Sequence, residues 1–198
     1  MTTLHDTVEN HLDALSTRLN RAAGRAPDLR GPGDSRARTD DFLVAATQHL
    51  TAVIQVVLPA VHHRLPDGRR AARDYLASAK RLERALVIAK AKQYGQAQNV
   101  GRAWTEVWEA VRDDLLSVTD TERGLVKQLS EVLSEAETQA MGDRLSATAR
   151  RSPTRPHPHL PHTGVTGRAV RRVWGRADRV WDELEGRVTR PFAAPEAG

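Results

Sequence analysis

Cysteine is absent from the 198 residues of this chain. Its absence excludes a disulfide scaffold, thiolate metal sites, iron–sulfur clusters and a cysteine nucleophile. Aromatic residues make up only 4% of the chain, and segments that alternate apolar and polar residues between turn signals are missing. Apolar residues at 39% and charged residues at 28% suffice for a packed core. We therefore expect a globular protein built from helices.

Long apolar runs and targeting signals are also lacking. The longest apolar runs are short and are interrupted by Gln55 and Pro59, so the sequence predicts no segment that spans a bilayer. The first residues, MTTLHDTVENHLD, have neither the basic region nor the apolar region of a secretory signal. A cytoplasmic location is the expectation that follows.

The motifs of the common enzyme classes are missing too. The chain has no glycine-rich phosphate loop, no Gly-x-Ser-x-Gly turn and no His-Glu-x-x-His pair. These absences disfavour nucleotide-binding enzymes, serine hydrolases and zinc proteases. The sequence therefore predicts a protein that is not an enzyme.

The net charge of +5 is unevenly placed. Residues 1–148 carry equal numbers of basic and acidic side chains, whereas residues 149–198 contain ten arginines and five acidic residues. An arginine-rich C-terminal helix is one candidate surface for weak binding of an anionic partner. Because acidic residues dilute it and no nucleic-acid-binding motif accompanies it, a nucleic acid is not the expected partner. A homo-oligomer or a protein partner is left open.

Helical periodicity recurs along the chain. It predicts helices over about 3–23, from Thr39 or Asp40 to the LPDGRR segment, and over 68–94. A fourth helix starts near residue 100 and either runs to 133 or breaks near 118, where a Thr119–Glu122 capping box fits. A second capping box at Ser134 opens a short helix that ends near 149. The glycines and prolines of residues 24–38 predict a linker.

Each long helix has an apolar stripe that predicts its buried side. The stripe of the second helix is doubled, which indicates a helix buried on a broad face. In the third helix the residues expected to face inward are Ala72, Leu76, Ala79, Leu82 and Leu86. In the first helix they are Leu4, Val8, His11 or Leu12, Leu15 and Leu19.

The segment RRSPTRPHPHLPHTG, residues 150–164, contains four prolines that exclude a helix. Its histidines His157, His159 and His162 can chelate a metal at the surface, or the segment is a stiff strap across the bundle. A last, basic helix is predicted over 165–188. The expected organisation is an N-terminal helix and linker over 1–38, a helical bundle over 39–149, the strap over 150–164, and a C-terminal basic helix and tail over 165–198.

Three segments together resemble hemerythrin-like (HHE cation-binding) proteins of actinobacterial type. They are DDFLVAATQHLTAVIQVVLPAVHHRLPDGRR, the WTEVWEAVRDDL helix with Glu122 after it, and SPTRPHPHLPHTG, which is the most specific of the three. The resemblance covers about 40–186. It implies an up-and-down four-helix bundle, cation or iron binding in the core and, through the metal, a response to oxygen or redox state.

The resemblance also implies a set of metal ligands. In the family, single histidines and His-x-x-x-Glu pairs hold two irons, and one turn of helix brings each pair onto one face. In this chain His49 matches the first histidine, and Glu83 and Glu122 match the glutamates of two pairs. Ala79 and Val118 stand where those pairs have their histidines. The implied centre is therefore an incomplete or lost diiron site, and the cofactor is iron or none.

Each of these residues also has a plainer interpretation. His49 can be a hydrogen-bonded core histidine, Glu122 can be the partner in the capping box, and Glu83 can lie at the edge of the bundle beside an arginine. The pairs Trp104/Trp108 and Trp174/Trp181 are expected to be packing aromatics. A bundle that kept its fold and lost its ligands would be a metal-free interaction module.

Overall fold

A computed structural model describes residues 2–24, 32–94 and 101–152, and these residues form five α-helices. The helices are α1 (Leu4–Ala23), α2 (Pro32–Arg64), α3 (Gly68–Gln93), α4 (Trp104–Val132) and α5 (Glu135–Arg151). Within these ranges no residue lies in a strand, which confirms the all-α class. The strap histidines, the basic C-terminal helix and the Trp174/Trp181 pair lie outside the described residues and stay predictions.

Helices α1 and α5 begin at capping boxes. The hydroxyl of Thr3 accepts a hydrogen bond from the Asp6 backbone N–H at 3.2 Å, and the Asp6 carboxylate accepts one from the Thr3 N–H at 2.9 Å. Ser134 and Glu137 make the same reciprocal pair at the start of α5. Because such boxes satisfy backbone donors that the first turn leaves unpaired, the predicted start of α5 at Ser134 is confirmed.

One predicted boundary is wrong, and one alternative that the sequence left open is decided. Helix α2 begins at Pro32, so the helix includes the last part of the predicted linker and passes through Thr39 and Asp40. Proline is compatible with the first helical position, because its missing N–H has no intrahelical partner there. Helix α4 is continuous through the Thr119–Glu122 segment. Both of those side chains are buried, so packing of this face takes precedence over the local cap.

Helix α2 is the central element of the bundle. Every residue from Phe42 to Ile54 is buried, because α1, α3, α4 and α5 all pack against α2. The predicted broad buried face is thus confirmed. The segment Ser35–Arg64 is also long and apolar enough to cross a membrane, although 89% of its most apolar window is buried inside the protein. That burial is typical of a core helix and favours the prediction of no membrane span.

Helix α1 contributes to the same core. It packs against α2, α4 and α5 and buries the leucines and valine of its predicted stripe. His11 lies beside His49, and Arg18 pairs with Asp41 at 3.2 Å, so α1 and α2 run antiparallel. The packed core therefore extends beyond residues 39–149 to the N-terminal helix.

Candidate functional site

The three predicted ligand residues all lie in the protein interior. His49 on α2, Glu83 on α3 and Glu122 on α4 are exposed by 1%, 1% and 0%. Glu83 is therefore not an edge residue, and Glu122 is not a capping residue. His63 is exposed near the end of α2, away from His49.

Glu122 is the centre of a hydrogen-bonded group. Its Oε2 lies 3.0 Å from Nε2 of His49 and accepts a hydrogen bond from the Tyr75 hydroxyl at 3.4 Å. Its other oxygen, Oε1, is buried without a hydrogen-bond partner among the described residues. A buried carboxyl oxygen left unpaired is costly. A proton or a cation bound at Oε1 of Glu122 would offset this cost.

A second histidine extends the group to α1. Nδ1 of His11 lies 3.4 Å from Nδ1 of His49, and the two rings meet edge to face. Only one of two facing nitrogens can donate to the other, so the tautomers of the pair are linked. If His49 is neutral and donates its Nε2–H to Glu122, its Nδ1 accepts from the Nδ1–H of His11. The chain His11–His49–Glu122–Tyr75 thus connects four helices.

The surroundings shift the pKa values of two members. Burial, helped by the neighbouring His49, lowers the pKa of His11 to about 3, so this imidazole is neutral at ordinary pH. Burial and the adjacent Glu122 raise the pKa of Tyr75 well above its usual range, with a smaller contribution from Glu83. Glu83 therefore belongs to the same electrostatic neighbourhood. We call the five residues His11, His49, Tyr75, Glu83 and Glu122 the polar core cluster.

The lowered pKa of His11 predicts acid destabilisation. The unfolded chain takes up a proton on this histidine below about pH 6.5, whereas the folded protein does so only near pH 3. The free energy of unfolding should therefore fall as the pH drops from about 6.5 to 3, by up to about 1.4 kcal/mol per pH unit from this residue. Urea unfolding at stepped pH measures the slope. His11→Leu should flatten it, whereas His5→Leu, an exposed histidine of the same helix, should not; an unchanged slope in His11→Leu would contradict the assignment.

The cluster does not fit a pair of irons. Such a pair needs around seven or eight protein ligands, and the buried side chains of Ala79 and Val118 provide none where the family has histidines. In the described conformation, no group of three or more histidine, aspartate or glutamate side chains within residues 2–24, 32–94 and 101–152 is spaced to hold a metal ion. The donor types present, imidazole nitrogen and carboxylate oxygen, do suit one divalent cation such as Fe²⁺, Mn²⁺ or Zn²⁺.

The predicted tryptophan pair is a packing feature at the other end of α4. Trp108 is buried against Phe42, and Trp104 stacks on Trp108 with ring centroids 5.6 Å apart. Lys92 of α3 lies over the Trp104 ring at 5.4 Å. The pair joins the end of α3 to the start of α4, which confirms the structural interpretation of these two tryptophans.

Two residues of the cluster were not predicted as site residues. His11 occupies the apolar stripe of α1, and this was the signal available, but nothing local to the sequence indicates that α1 packs beside His49. Tyr75 lies next to Leu76, which was expected to face inward; the structure buries Tyr75 completely and leaves Leu76 partly exposed.

Compared with models of protein families, with curated proteins and with solved structures, the chain matches none of them significantly. The hemerythrin-like resemblance therefore depends on the residues of this chain alone.

Proposed function

We propose that this protein is a non-enzymatic, hemerythrin-like helical bundle whose polar core cluster binds one divalent cation in place of a diiron centre. The observation that carries the proposal is the placement of His49, Glu83 and Glu122. They come from three different helices, all are buried to within 1% of completely, and two of them are in contact. Ionisable side chains are rarely buried this fully unless they are paired or bind a metal.

Binding would exchange a proton for a cation. Nε2 of His49 now shares a hydrogen with Glu122, and a cation would have to displace it, so binding should release a proton and weaken at low pH. Glu122 would turn its unpaired oxygen to the ion, and Glu83 would supply a second carboxylate. His11 would then orient His49 through the contact between their Nδ1 atoms, the usual role of a group behind a metal-bound histidine. Iron in this position would supply the response to oxygen or redox state; the buried surroundings would exclude water.

A second candidate function is a metal-free interaction module. It is favoured by the direct His49–Glu122 hydrogen bond at 3.0 Å, which satisfies both groups without an ion. The cytoplasmic location and an anion-binding role for the C-terminal helix stay predictions in either case.

Calorimetric titration of the full chain with Fe²⁺ under anaerobic conditions, and with Mn²⁺ and Zn²⁺, separates the two functions. The chain should carry His157→Ala, His159→Ala and His162→Ala, so that the strap histidines do not bind the added ions. We expect one ion per chain, with affinity reduced by at least about 10-fold by Glu122→Gln or His49→Gln, since loss of a direct ligand should cost no less than loss of a group behind one.

Matched controls for this titration are His63→Gln and Glu131→Gln, because both positions are exposed. They should bind as the parent chain does. Absence of binding in the parent, or equal binding in the core and surface variants, would reject the cation site and favour the metal-free module.

A further inference from the structure

Residues 1–148 carry no net charge, but their basic and acidic side chains are concentrated on different helices. The segment 64–102 contains ten basic and three acidic side chains, whereas the segment 103–148 contains four basic and ten acidic ones. The first segment is essentially α3 and its flanks, and the second is α4 with most of α5. Two neighbouring helices therefore carry opposite charge.

The exposed side of α3 is a basic face. It consists of Arg69, Arg70, Arg73, Lys80, Arg81 and Arg84. These side chains extend over about 22 Å of helix. Within this span Asp74 is the exposed acidic residue. Large apolar side chains are absent from the exposed positions between residues 69 and 84, so this face is not built to insert into a lipid surface.

The exposed side of α4 is an acidic face. Glu106, Asp113 and Asp120 recur every seven residues, which places them on one line along the helix. Glu109 and Glu131 are exposed on the same side. Together these five residues form a negative ridge parallel to the basic face, interrupted by the exposed Lys127 between Asp120 and Glu131.

Contacts between α3 and α4 determine the relative direction of the two helices and which residues of the basic and acidic faces lie at the same level. Lys92 lies over Trp104, and Arg81 pairs with Asp114 at 3.6 Å. Residue numbers fall along one helix as they rise along the other, so the helices are antiparallel neighbours, about 8–10 Å apart. Arg84 is level with Asp113, and Asp120 lies at a level between Arg73 and Lys80.

This geometry disfavours a polyanion as the partner. A nucleic acid duplex or an anionic bilayer placed on the basic face would also meet the acidic ridge one helix diameter away and be repelled by it. A fitting partner must itself present an acidic ridge beside a basic one. The α3/α4 surface of a second copy of this protein does so.

We propose that the α3/α4 surface is a self-complementary interface for a second copy of this chain. A two-fold axis that runs parallel to the helices, between the copies, places each basic face over the partner's acidic face. Arg84 then lies opposite Asp113 of the second copy, and Asp120 lies opposite Arg73 and Lys80. A two-fold axis across the helices would set basic on basic, so the charge pattern selects the parallel axis.

The expected dimer is weak and sensitive to salt. Two neighbouring helices, each about 30 Å long, would bury about 600 Å² of surface per copy in the dimer, or about 1,200 Å² in total. This area is at the lower limit of stable interfaces. Exposed ion pairs contribute little each and are screened by salt. The dimer should therefore form at high protein concentration in low salt.

Sedimentation analysis of the full chain tests this with two charge-reversed variants. Lys80→Glu/Arg84→Glu places negative charges opposite the partner's Asp120 and Asp113, and Asp113→Arg/Asp120→Arg places positive charges opposite the partner's Arg84 and Lys80. We expect the parent chain to dimerise at about 50 mM salt and to dissociate at about 0.5 M. Each variant alone should dimerise at least about tenfold more weakly, and an equimolar mixture of the two should recover association as a heterodimer.

Arg144→Glu/Arg150→Glu is the matched control, because it changes net charge as the first variant does at exposed positions of α5, outside the two faces. It should dimerise like the parent. A parent chain that stays monomeric, variants that dimerise equally well, or a mixture that does not associate would overturn the proposal. So would binding to a 20-base-pair duplex or to anionic vesicles that Lys80→Glu/Arg84→Glu abolishes, since that would identify a polyanion as the partner. None of these outcomes depends on whether the core binds a cation.

Discussion

Replacing His49 by leucine is expected to lower the free energy of unfolding by about 3–5 kcal/mol. Leucine nearly conserves volume, so the loss comes from the polar groups rather than from a cavity. Glu122 would keep the weak Tyr75 hydrogen bond at 3.4 Å and lose its closest partner in a site with 0% exposure. Removal of one partner of a buried pair leaves the other desolvated and uncompensated, which is the costly case.

Urea unfolding at pH 7 measures the effect, with His63→Leu as the exposed control. A second variant, His49→Leu/Glu122→Leu, removes both partners and should be less destabilised than the sum of the two single changes. A loss below about 1 kcal/mol in His49→Leu, or strict additivity in the double variant, would show that the contact does not couple the two residues.

Gly68→Ala is expected to destabilise the protein by about 3 kcal/mol or more, at the upper end of the cost of overpacking. A Cβ atom at this position would lie 2.0 Å from the carbonyl oxygen of Val61 and 2.9 Å from the Cα of His62. These are backbone atoms that cannot rotate away. The Val61 carbonyl is also held, because it accepts the Leu65 N–H at 3.2 Å. Relief therefore requires the turn between α2 and α3 to open.

Gly124→Ala is the matched control for Gly68→Ala. It lies within α4, and a Cβ there meets no atom within 4 Å. Alanine should therefore stabilise the protein by up to about 1 kcal/mol through its higher helix propensity. Thermal and urea unfolding of both variants give the comparison. Equal stability of the two would show that the α2–α3 turn tolerates a side chain.

The helices were predictable where local signals agree. α5 begins where its capping box predicts, and α3 ends within a residue of the end that Tyr94 and Gly95 predict. The start of α2 was missed because Pro32 and Gly33 are typical of a linker, although proline is also compatible with the first turn of a helix. The continuity of α4 was undecided because a capping box at Thr119 competes with an apolar stripe that Val118 and Leu125 continue. Tertiary packing decides that competition, and it is not encoded locally.

The candidate site was predictable only in part, for a related reason. Helical register placed His49 and Glu122 inward, the family resemblance indicated Glu83, and all three are buried. Register cannot indicate which helices become neighbours, so His11 on α1 was not joined to His49. Tyr75 was missed because the buried side of α3 differs by one residue from the predicted one. Tyr75 is buried, whereas Leu76 was expected to be. The opposite charges of α3 and α4 were missed because they nearly cancel when the charges of the two helices are summed.

The most direct test of the proposed cation site is the metal content of untagged protein purified from iron-supplemented cells, with the visible spectrum recorded on the same sample. The proposed site predicts one metal ion per chain, lost in His49→Gln, and no charge-transfer bands of an oxo-bridged iron pair. Two irons per chain with those bands, both lost in His49→Gln, would contradict it and show that the cluster holds a complete diiron centre.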